Sequence, residues 1–558
     1  MMGALLAFLF LFYFYPIASI LSLSFTSVGH GGGEGLSAIL KPHYLRVIWF
    51  TTWQAALSTV LTLGAAMPGA YIFARYEFPG KSLIQALTTV PFVLPTIVVS
   101  LAFTALFGPH GWLNVILMNV MGLDRPPLDF QYTLGIILLA HVFYNYTLVL
   151  RLVGTQWAYL DPRLEEAARM LGAGRWRAFR EITLPLLAPT VGAAALLVFL
   201  FCFTSFGVIL VLGGPRFATL EVEIYLQTVH YLNLPVAAAL SMIQILCTLG
   251  MMSVYTFLYE RIARPVTLRS RHTTQHPFRT KTQKLIAGVN LVAIVALLIG
   301  PLFALAARSV TLAPLGGDGR GPFFSLGFYR HLFENPRGSA FYVPPIAAAR
   351  NSVGFALATM VLAVALGGMA ATVLAGGGQR SKLKGASRWL DVLLMLPLGT
   401  SAVTLGLGYI VALDEPPLNL RTSPWLVVCA HTLVALPFVV RSVLPALRAI
   451  DPHLRETAAI LGASPGRVWR EVDLPIVARA VLVGAVFAFT VSMGEFGATS
   501  LIARPERPTM PIAIYRFLAR PGAENYGQAL AMSTLLMLVC TLAFVLIERF
   551  RIGEVGEF

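Results

Sequence analysis

Two segments of this chain carry acids, glycines and prolines at the same spacing. Residues 161–185 read DPRLEEAARMLGAGRWRAFREITLP and residues 451–475 read DPHLRETAAILGASPGRVWREVDLP, with 13 of 25 residues identical at a constant offset of 290. An Asp-Pro start, early acids, a narrow apolar stripe and a closing glycine are typical of a short capped helix. Because each copy lies between long apolar stretches, the pattern predicts a polar docking element that recurs on one side of a membrane.

The first copy has the composition of a helix with defined ends. Asp161 can accept backbone N–H bonds as the N-cap, and Pro162 suits the first helical position. Glu165 and Glu166 then fall in the first turns, where the helix dipole favours negative charge. Gly172 is placed to end the helix in the left-handed conformation. The apolar stripe comprises Leu164, Ala167, Ala168 and Leu171, with Leu454, Thr457, Ala458 and Leu461 at the same places before Gly462 in the second copy.

A second amphipathic helix is predicted after each glycine, and it should stop before Pro185 or Pro475, where the next apolar span begins. Two interpretations of the segment compete. Small residues allow close approach to a groove on a partner protein, whereas an interfacial amphipathic helix would lie on lipid. The lipid interpretation suits the second helix better, because the first lacks large apolar residues and begins with acids.

The composition identifies the chain as an integral membrane protein. Its 558 residues are 57% hydrophobic and 12% charged, whereas soluble domains carry about 25% charged residues. The net charge of +15 is concentrated in linkers between apolar stretches, as the positive-inside bias predicts, which argues against nucleic-acid binding. The four cysteines lie far apart in apolar stretches, so neither a disulfide nor a metal site is expected. The apolar N-terminal stretch is predicted to be a retained helix, because it lacks a basic start and a cleavage site.

Twelve stretches are apolar and long enough to span a membrane. They cover residues 3–24, 48–74, 83–107, 133–155, 187–212, 236–259, 285–307, 350–376, 388–412, 424–446, 477–503 and 528–548. Placing the basic linkers 259–284 and 377–388 in the cytoplasm puts both repeated segments and both termini there. The segments that then face outward are 25–47, 108–132, 213–235, 308–349 and 504–527. The sequence thus predicts an all-α, polytopic membrane protein with about twelve transmembrane helices.

The repeat continues through the membrane helices. Further matches at the offset of 290 are Ala140-His141 with Ala430-His431, Arg151 with Arg441, Phe206-Gly207 with Phe496-Gly497, and Ile224-Tyr225 with Ile514-Tyr515; residues 56–59 resemble 356–359 at an offset of 300. The chain therefore divides into two homologous six-helix halves, residues 1–260 and 285–558, joined by a basic cytoplasmic linker at 261–284. Since an even helix count gives both halves the same orientation, we predict a parallel repeat about an axis along the membrane normal.

The repeated segment resembles the signature loop of binding-protein-dependent ABC importer permeases, E-A-A-x3-G-x9-I-x-L-P. The first copy matches it through Glu166, Ala167, Ala168, Gly172, Ile182, Leu184 and Pro185; the second has Glu456, Thr457, Ala458, Gly462, Val472, Leu474 and Pro475. The resemblance implies that each loop is a coupling helix that docks into a cleft on a cytoplasmic ATPase. Thr457 adds a hydroxyl group where the motif has a methyl group, which implies that the two contacts differ.

This resemblance covers nearly the whole chain and sets further expectations. It implies a type I ABC importer fold in the inner (plasma) membrane, with two cytoplasmic ABC ATPase subunits that use the ATP and an extracytoplasmic solute-binding protein. The chain itself would then be no enzyme and would bind no cofactor or metal. Its fused halves are similar to the iron(III)/thiamine branch, and residues 203–215, FTSFGVILVLGGP, resemble thiamine permeases. The sequence leaves thiamine, Fe(III), phosphonate and other solutes open.

Two positions within predicted spans are candidates for the translocation path. Glu495 is an acid inside a span, which is costly and by default marks a pathway or a buried partner. It aligns with Ser205 at the offset of 290, so the two would face each other across the pseudo-twofold axis. A structural role, in which Glu495 pairs with an arginine or with backbone groups, fits the sequence equally well. His141 and His431 are also duplicated, but their neighbours lack a metal-ligand pattern, which favours hydrogen bonding between helices.

The chain has no motif for energy conversion or catalysis. Residues 79–82, PGKS, resemble the end of a Walker A loop, but Arg75 stands where that motif needs glycine and no soluble strand precedes it. HExxH does not occur, and the one GxSxG spacing, residues 462–466 (GASPG), lies between two predicted helices and not after a strand, so the energy must come from a partner. The alternative is an ion-gradient-driven secondary transporter, which also often has twelve helices in two parallel halves. That class would need several ionisable residues in the membrane and no matched cytoplasmic helices.

Overall fold

The computed structural model describes residues 2–26, 39–262, 275–312, 323–333, 344–377, 390–391, 393–414 and 418–551. Within these ranges the chain is mainly helical. Several basic residues on which the predicted orientation depends lie outside the described residues: Arg264, Arg269, Arg271, Arg380, Lys382, Lys384 and Arg388. The same holds for Met1 and for residues 552–558, so the two extreme ends are not described.

The first half begins with a helix that passes through a π-helical turn. Its helices are α1 (Met2–Leu9), a π-helix (Phe10–Phe14), α2 (Tyr15–Thr26), α3 (Pro42–Arg75), α4 (Lys81–Val93), α5 (Thr96–Phe107), α6 (Trp112–Met121), α7 (Leu134–Tyr159), α8 (Arg163–Met170), α9 (Arg175–Ala178), a π-helix (Phe179–Thr183), α10 (Leu184–Phe203), α11 (Gly207–Leu212), α12 (Leu220–Val229) and α13 (Leu234–Ile262). Pro42 opens α3 at a position where its missing N–H costs no hydrogen bond.

The second half repeats the order of the core helices and of the repeated segment. Its helices are α14 (Lys281–Val310), α15 (Gly327–His331), α16 (Pro345–Gly377), a 3₁₀-helix (Leu396–Gly399), α17 (Ala402–Leu413), α18 (Trp425–Arg448), α19 (Pro452–Ile460), α20 (Pro465–Val468), a π-helix (Trp469–Asp473), α21 (Leu474–Gly494), α22 (Gly497–Ile502), α23 (Met510–Leu518) and α24 (Ala523–Arg551). Two strand pairs are short: β1 (Tyr76–Glu77) lies parallel to β2 (His276–Pro277), and β3 (Thr311–Leu312) antiparallel to β4 (Phe323–Phe324).

Three helices form the core of each half: α3, α7 and α10 in the first, and α16, α18 and α21 in the second. Small residues permit the close packing, as membrane helices require. At Gly367, for example, an added Cβ would lie 2.7 Å from Val439 Cγ1. The outer faces expose large apolar side chains such as Val60, Val289 and Leu542, as a lipid-facing surface would.

The halves exchange their first helices. α2 packs against α17 of the second half, and α14 packs against α5 of the first half. Tyr13 Oη lies 2.7 Å from Thr400 Oγ1. At Gly408 an added Cβ would lie 2.9 Å from Pro16 Cβ, so only glycine fits where these segments cross. The first helix of each half therefore packs against the other half.

The described residues include eleven helical stretches that are long and apolar enough to cross a membrane, and α17 is a shorter apolar helix. Twelve spans were expected, and one of them, 83–107, is wrong as a continuous helix. The chain breaks into α4 and α5 at Leu94, whose ψ is 141°, because a residue before proline is disfavoured in the helical region. The predicted outward loop 108–132 contains the helix α6.

Three further predicted spans are interrupted. Residues 187–212 divide into α10 and α11, and residues 477–503 divide into α21 and α22. The segment 388–412 holds the 3₁₀-helix and α17, separated at Ser401, and residues 388, 389 and 392 lie outside the described residues. Each interruption removes backbone–backbone hydrogen bonds that a continuous helix would make, and the side chains of Ser401 and Glu495 accept some of the freed N–H groups. Such breaks are found in membrane proteins where the backbone is buried in protein or lines a cavity.

Candidate coupling surface and translocation cavity

Each repeated segment forms a short helix between two core helices: α8 follows α7, and α19 follows α18. Asp161 Oδ1 accepts the N–H of Arg163 at 3.1 Å, and Asp451 Oδ1 accepts the N–H of His453 at 3.0 Å. Both predicted N-terminal caps are therefore confirmed. In the first copy α8 itself begins at Arg163, one residue later than expected.

Both helices also end as predicted. Gly172 has a φ of +90° and Gly462 a φ of +82°, which is the left-handed region that favours glycine. The residue that follows each glycine donates its N–H to the carbonyl five positions earlier, at 3.0 Å in both copies. This bond satisfies a carbonyl group that a helix end otherwise leaves unpaired. The glycine conformation thus fixes the direction in which the chain leaves each helix.

The ends of the two helices expose equivalent apolar side chains. Met170 and Leu171 are 88% and 90% exposed, and Ile460 and Leu461 at the equivalent positions are 85% and 81% exposed. The expectation that α8 lacks large apolar residues is therefore wrong at its C-terminal end. Of the signature residues, Glu166, Ala167, Gly172, Glu456, Thr457 and Gly462 are exposed, and Ala168 and Ala458 are half-buried. We call the exposed faces of α8 and α19 the two coupling surfaces.

In the first half, an ionic cluster anchors α8 to the membrane helices. Glu165 accepts a hydrogen bond from the hydroxyl group of Thr183. Arg75, at the end of α3, has Nη2 3.7 Å from Glu165 Oε1 and donates from Nη1 to the carbonyl of Leu160 at 3.0 Å. The cluster therefore joins α8 both to the end of α3 and to the helical segment that leads into α10.

The second half has the same anchor with the charges exchanged. Arg455 and Asp473 stand at the positions equivalent to Glu165 and Thr183, and Arg455 Nε lies 2.7 Å from Asp473 Oδ1. Ala375 stands where the first half has Arg75, at the offset of 300 that relates the beginnings of α3 and α16. The acid, the base and the neutral residue have changed places, but each cluster remains neutral overall. The link from coupling helix to span is thus retained through different chemistry.

The second helix of each segment was predicted to stop before Pro185 or Pro475. This prediction is wrong, because the helix continues past the proline. α9 continues through the π-helix Phe179–Thr183 into α10, and α20 continues through Trp469–Asp473 into α21. Leu184 N–H donates to the carbonyl of Phe179, five residues earlier. The wider turn accommodates Pro185, which has no N–H to donate, without ending the helix. α9, the π-helix and α10 therefore form one continuous helix that leads from the repeated segment into the apolar span, and α20 and α21 do the same in the second half.

A cavity of about 360 Å³ lies between the two halves. Residues from both line it, including Ser205 but not Glu495. The aromatic residues among them are Phe92, Tyr144, Phe201, Phe206, Phe438, Phe487 and Phe496, and the polar side chains are Thr96, His141, Asn145, Thr204, Ser205, Glu221 and Ser401. Within the described ranges, no three His, Cys, Asp or Glu side chains form a group that could hold a metal ion.

Four aromatic residues from equivalent positions meet where the halves join. Phe206 stacks on Phe496 with ring centroids 5.4 Å apart, and both rings line the cavity. Tyr225 packs on Phe206 at 5.3 Å, and Tyr515 packs on Phe496 at 5.5 Å. The tyrosines do not line the cavity, so they lie behind the phenylalanine pair. We call these four residues the aromatic quartet; its phenylalanine pair forms part of the cavity wall across the pseudo-twofold axis.

The duplicated histidines connect helices, as predicted. Ser58 Oγ lies 2.9 Å from His141 Nδ1, and His141 Nε2 lies 2.9 Å from Ser205 Oγ. In the second half, His431 Nδ1 lies 2.7 Å from Ser492 Oγ. Both imidazoles are buried, and each links its core helix to the segment beside the interrupted span. Ser205 is thereby held at the cavity wall by His141.

Glu495 caps the helix α22. Its carboxylate accepts the backbone N–H groups of Ala498 at 2.8 Å and Thr499 at 3.0 Å, and it also bonds the Thr499 hydroxyl group. Glu495 Oε2 lies 3.3 Å from His431 Nε2. These contacts match the structural alternative, with a histidine in place of the arginine that the sequence suggested. The partners of Glu495 and of Ser205 lie within their own halves, so it is the neighbouring phenylalanines that meet across the axis.

Glu495→Gln is expected to lower the stability of the protein by about 1–2 kcal/mol. The amide has one acceptor oxygen where the carboxylate uses both of its oxygens for Ala498 and Thr499, and its NH₂ group would face donors. The midpoint of thermal unfolding in detergent measures this. Glu506→Gln, an exposed acid, is the matched control. Unchanged stability combined with altered uptake would instead assign Glu495 to the translocation path.

Glu221 was not among the predicted site residues; it lies in α12, within a segment predicted to be an outward loop. Its side chain is 1% exposed and lines the cavity. The carboxylate accepts hydrogen bonds from Gln244 in α13 and from Ser401 of the second half. The residues Leu220, Val222 and Ile224 around it are apolar, and this dense apolar setting was the available signal of a buried helix.

The interrupted spans, the exchanged first helices and the paired coupling surfaces define a two-half membrane permease. The family of binding-protein-dependent transport system inner membrane components matches residues 66–264 and 363–551, and the chain belongs to this family. It is therefore a permease of the binding-protein-dependent ABC importer type, and not a secondary transporter. The two matched stretches fall in the two homologous halves, as the internal repeat predicts.

Curated relatives are similar over nearly the full length. The thiamine transport system permease protein ThiP of Escherichia coli (strain K12) is 27% identical over 92% of this chain and 90% of that protein. ThiP of Brucella abortus (strain 2308) is 28% identical over 93% of this chain and 90% of that protein. A solved bacterial alginate ABC transporter, in complex with an alginate pentasaccharide-bound periplasmic protein, aligns with 48% of this chain and 95% of its own at a TM-score of 0.40 and 19% identity.

Proposed function

We propose that this permease imports thiamine or a similar small organic cation, delivered by an extracytoplasmic solute-binding protein and driven by two cytoplasmic ATPase subunits. The observation that carries the proposal is the pair of coupling surfaces, which expose equivalent apolar side chains at equivalent places. An exposed apolar patch on a polar loop marks a contact with a protein or with lipid, and the acids and small residues beside it favour a protein. Two copies in register require a partner that also occurs twice. The names of the two relatives described above support thiamine as the solute.

The cycle follows from the way the coupling helices are attached. ATP binding draws the two ATPase subunits together, and the coupling surfaces move with them. Because α9 and α20 continue into α10 and α21, this movement reaches the interrupted spans beside the cavity. ATP can favour one conformation only through contacts that are made in that conformation alone. Release of the hydrolysis products then resets the pair; this chain binds no ATP itself.

The proposed orientation puts the coupling surfaces, the 261–284 linker and both termini in the cytoplasm of a cell with this protein in its inner (plasma) membrane. The division into halves at 1–260 and 285–558 is part of the same proposal. The segments 213–235 and 504–527, which contain α12 and α23, then face the solute-binding protein. The aromatic quartet lies at the outward side of the cavity and closes it there. Ser205 lines the path, and Glu495 shapes its wall by capping α22.

Reconstitution tests the function directly. The chain is co-expressed with the ATPase and the solute-binding protein encoded beside it, purified, and placed in liposomes with ATP inside. We expect the ATPase to co-purify at two copies per permease and labelled thiamine to accumulate only with ATP and binding protein. Uptake driven by an ion gradient without ATPase would contradict the proposal. Accumulation of ferric iron or phosphonate in place of thiamine would keep the permease function and replace the solute.

A further inference from the structure

We propose that the cavity between the halves contains a binding site for one organic cation, with the Glu221 carboxylate as its negative charge and the surrounding aromatic rings as its walls. The inference rests on the proposed import function and names the place in the membrane where the solute pauses. It is carried by the composition of the cavity wall, the position of Glu221, and the absence of this acid from the equivalent place in the second half.

Glu221 is positioned to meet a ligand. It lies in the first turn of α12, where the helix dipole favours negative charge, whereas burial raises the pKa of its carboxyl group to about 8. A cation bound in the cavity favours the ionised form. Gln244 donates to one of its oxygens and Ser401 to the other. An ionised carboxylate has about four acceptor positions, so these two bonds orient the group and leave capacity for a donor or cation in the cavity. The bonds from Gln244 and Ser401 hold the Glu221 carboxylate at the cavity wall.

The charge and shape of the wall select the class of ligand. Among the described residues that line the cavity, none is Lys, Arg or Asp, so Glu221 is the one acid there that a bound cation can pair with. Aromatic faces attract cations, by about 0.5–2 kcal/mol each depending on desolvation. The stacked pair Phe438 and Phe487 and the edge-on pair Phe92 and Phe201 supply such faces from different halves. A cavity of about 360 Å³ is at the size of a small-molecule pocket.

The site occurs once, not twice. The position equivalent to Glu221 at the offset of 290 is Pro511, which has no charge. Ser401 belongs to the second half, so the carboxylate of the first half is oriented by a contact across the interface. When the halves move relative to each other, this contact and the cavity wall must change together. Binding of the cation is therefore coupled to the conformation of the permease.

Equilibrium binding to the purified permease, without binding protein or ATPase, tests the site. The probes are labelled thiamine, tetraethylammonium as a competing simple cation, and thiochrome, the uncharged tricyclic oxidation product of thiamine. We expect Glu221→Gln to weaken thiamine binding about tenfold or more, since it removes the charge and keeps the shape. Glu223→Gln is the matched control: it lies in the same helix and is 3% exposed, but it contacts Gln227 and His43 outside the cavity wall.

A second pair of variants separates binding from folding. Phe438→Leu keeps an apolar side chain but removes a ring, and we expect it to weaken thiamine binding about threefold or more without a change in thiochrome binding. Glu221→Asp should recover part of the affinity that Glu221→Gln loses. Thermal unfolding of each variant shows that the losses are not losses of the fold.

The outcomes distinguish this inference from the import function. If Glu221→Gln binds thiamine and tetraethylammonium as the wild type does, or if the wild type prefers thiochrome, the cation site is refuted even when ATP-dependent thiamine uptake is intact. If the complete transporter takes up no thiamine but tetraethylammonium binding depends on Glu221, the proposed solute is refuted and the cation site stands. Loss of binding in Glu223→Gln equal to that in Glu221→Gln would also overturn the assignment.

Discussion

Gly172→Val is expected to reduce ATP-dependent uptake about tenfold or more, while Gly174→Ala leaves it unchanged. At both glycines an added Cβ meets nothing within 4 Å, so neither substitution clashes with a neighbour. They differ in backbone conformation: Gly172 has a φ of +90°, and Gly174 has a φ of −64°. Holding a β-branched residue in the left-handed region costs about 1–3 kcal/mol, so the end of α8 must change shape. The measurement is uptake by the reconstituted transporter, with co-purified ATPase as a second readout.

The second half provides an independent copy of the same test. Gly462 has a φ of +82°, and Gly466 is a glycine in open space within α20. Gly462→Val should impair uptake as Gly172→Val does, and Gly466→Ala should not. Wild-type uptake in both valine variants would show that the direction of the chain after each helix is irrelevant to coupling. That result would remove the coupling surfaces from the mechanism.

The coupling surfaces could be predicted from sequence because each is one continuous segment. Helix caps depend on hydrogen bonds to residues only a few positions away. The roles of Asp161, Asp451, Gly172 and Gly462 could therefore be predicted from the local sequence. The repeat at an offset of 290 then gave the two-half architecture. The local sequence could not predict solvent exposure. Met170 and Leu171 are apolar and could have been buried, but in the structure they are almost fully exposed.

The cavity could not be predicted in this way, because its residues come from distant parts of both halves. Ser205 was found through its alignment with Glu495, but the pairing across the axis belongs to Phe206 and Phe496. The span is interrupted at Glu495, so its side chain does not continue the helical pattern. It caps α22 instead of facing the partner half. A hydropathy pattern treats a span as one helix. It does not detect a break at which buried side chains bond the freed backbone groups.

The same limit applies to the anchors of the coupling helices. An alignment of the two halves shows Glu165 opposite Arg455 and Thr183 opposite Asp473 as unrelated substitutions. In the structure Glu165 contacts Thr183 and Arg455 contacts Asp473, and Arg75 completes the first of these two clusters. The anchor is retained while the charges are exchanged, which is expected if the link itself, and not its polarity, is needed. Residues of one cluster can therefore be placed at the equivalent positions of the other half to test the link.

Arg455→Glu is expected to reduce uptake about tenfold, and adding Asp473→Thr with Ala375→Arg to restore most of it. The single change puts two acids in contact at a buried position, because Asp473 is 7% exposed. The triple variant rebuilds the first-half cluster of Arg75, Glu165 and Thr183 at the equivalent positions. Uptake and ATP hydrolysed per solute are measured together, since a loosened anchor should waste ATP.

Glu471→Ala is the control for that experiment. It breaks the ion pair with Arg467, whose side chains are 57% and 64% exposed, and exposed pairs contribute about 0–1 kcal/mol. Uptake should therefore stay within twofold of the wild type. If the triple variant is no better than Arg455→Glu while its thermal stability has recovered, the anchor stabilises the fold but does not transmit movement. If it recovers both, the coupling helix acts on the membrane helices through this link, whichever residue carries the charge.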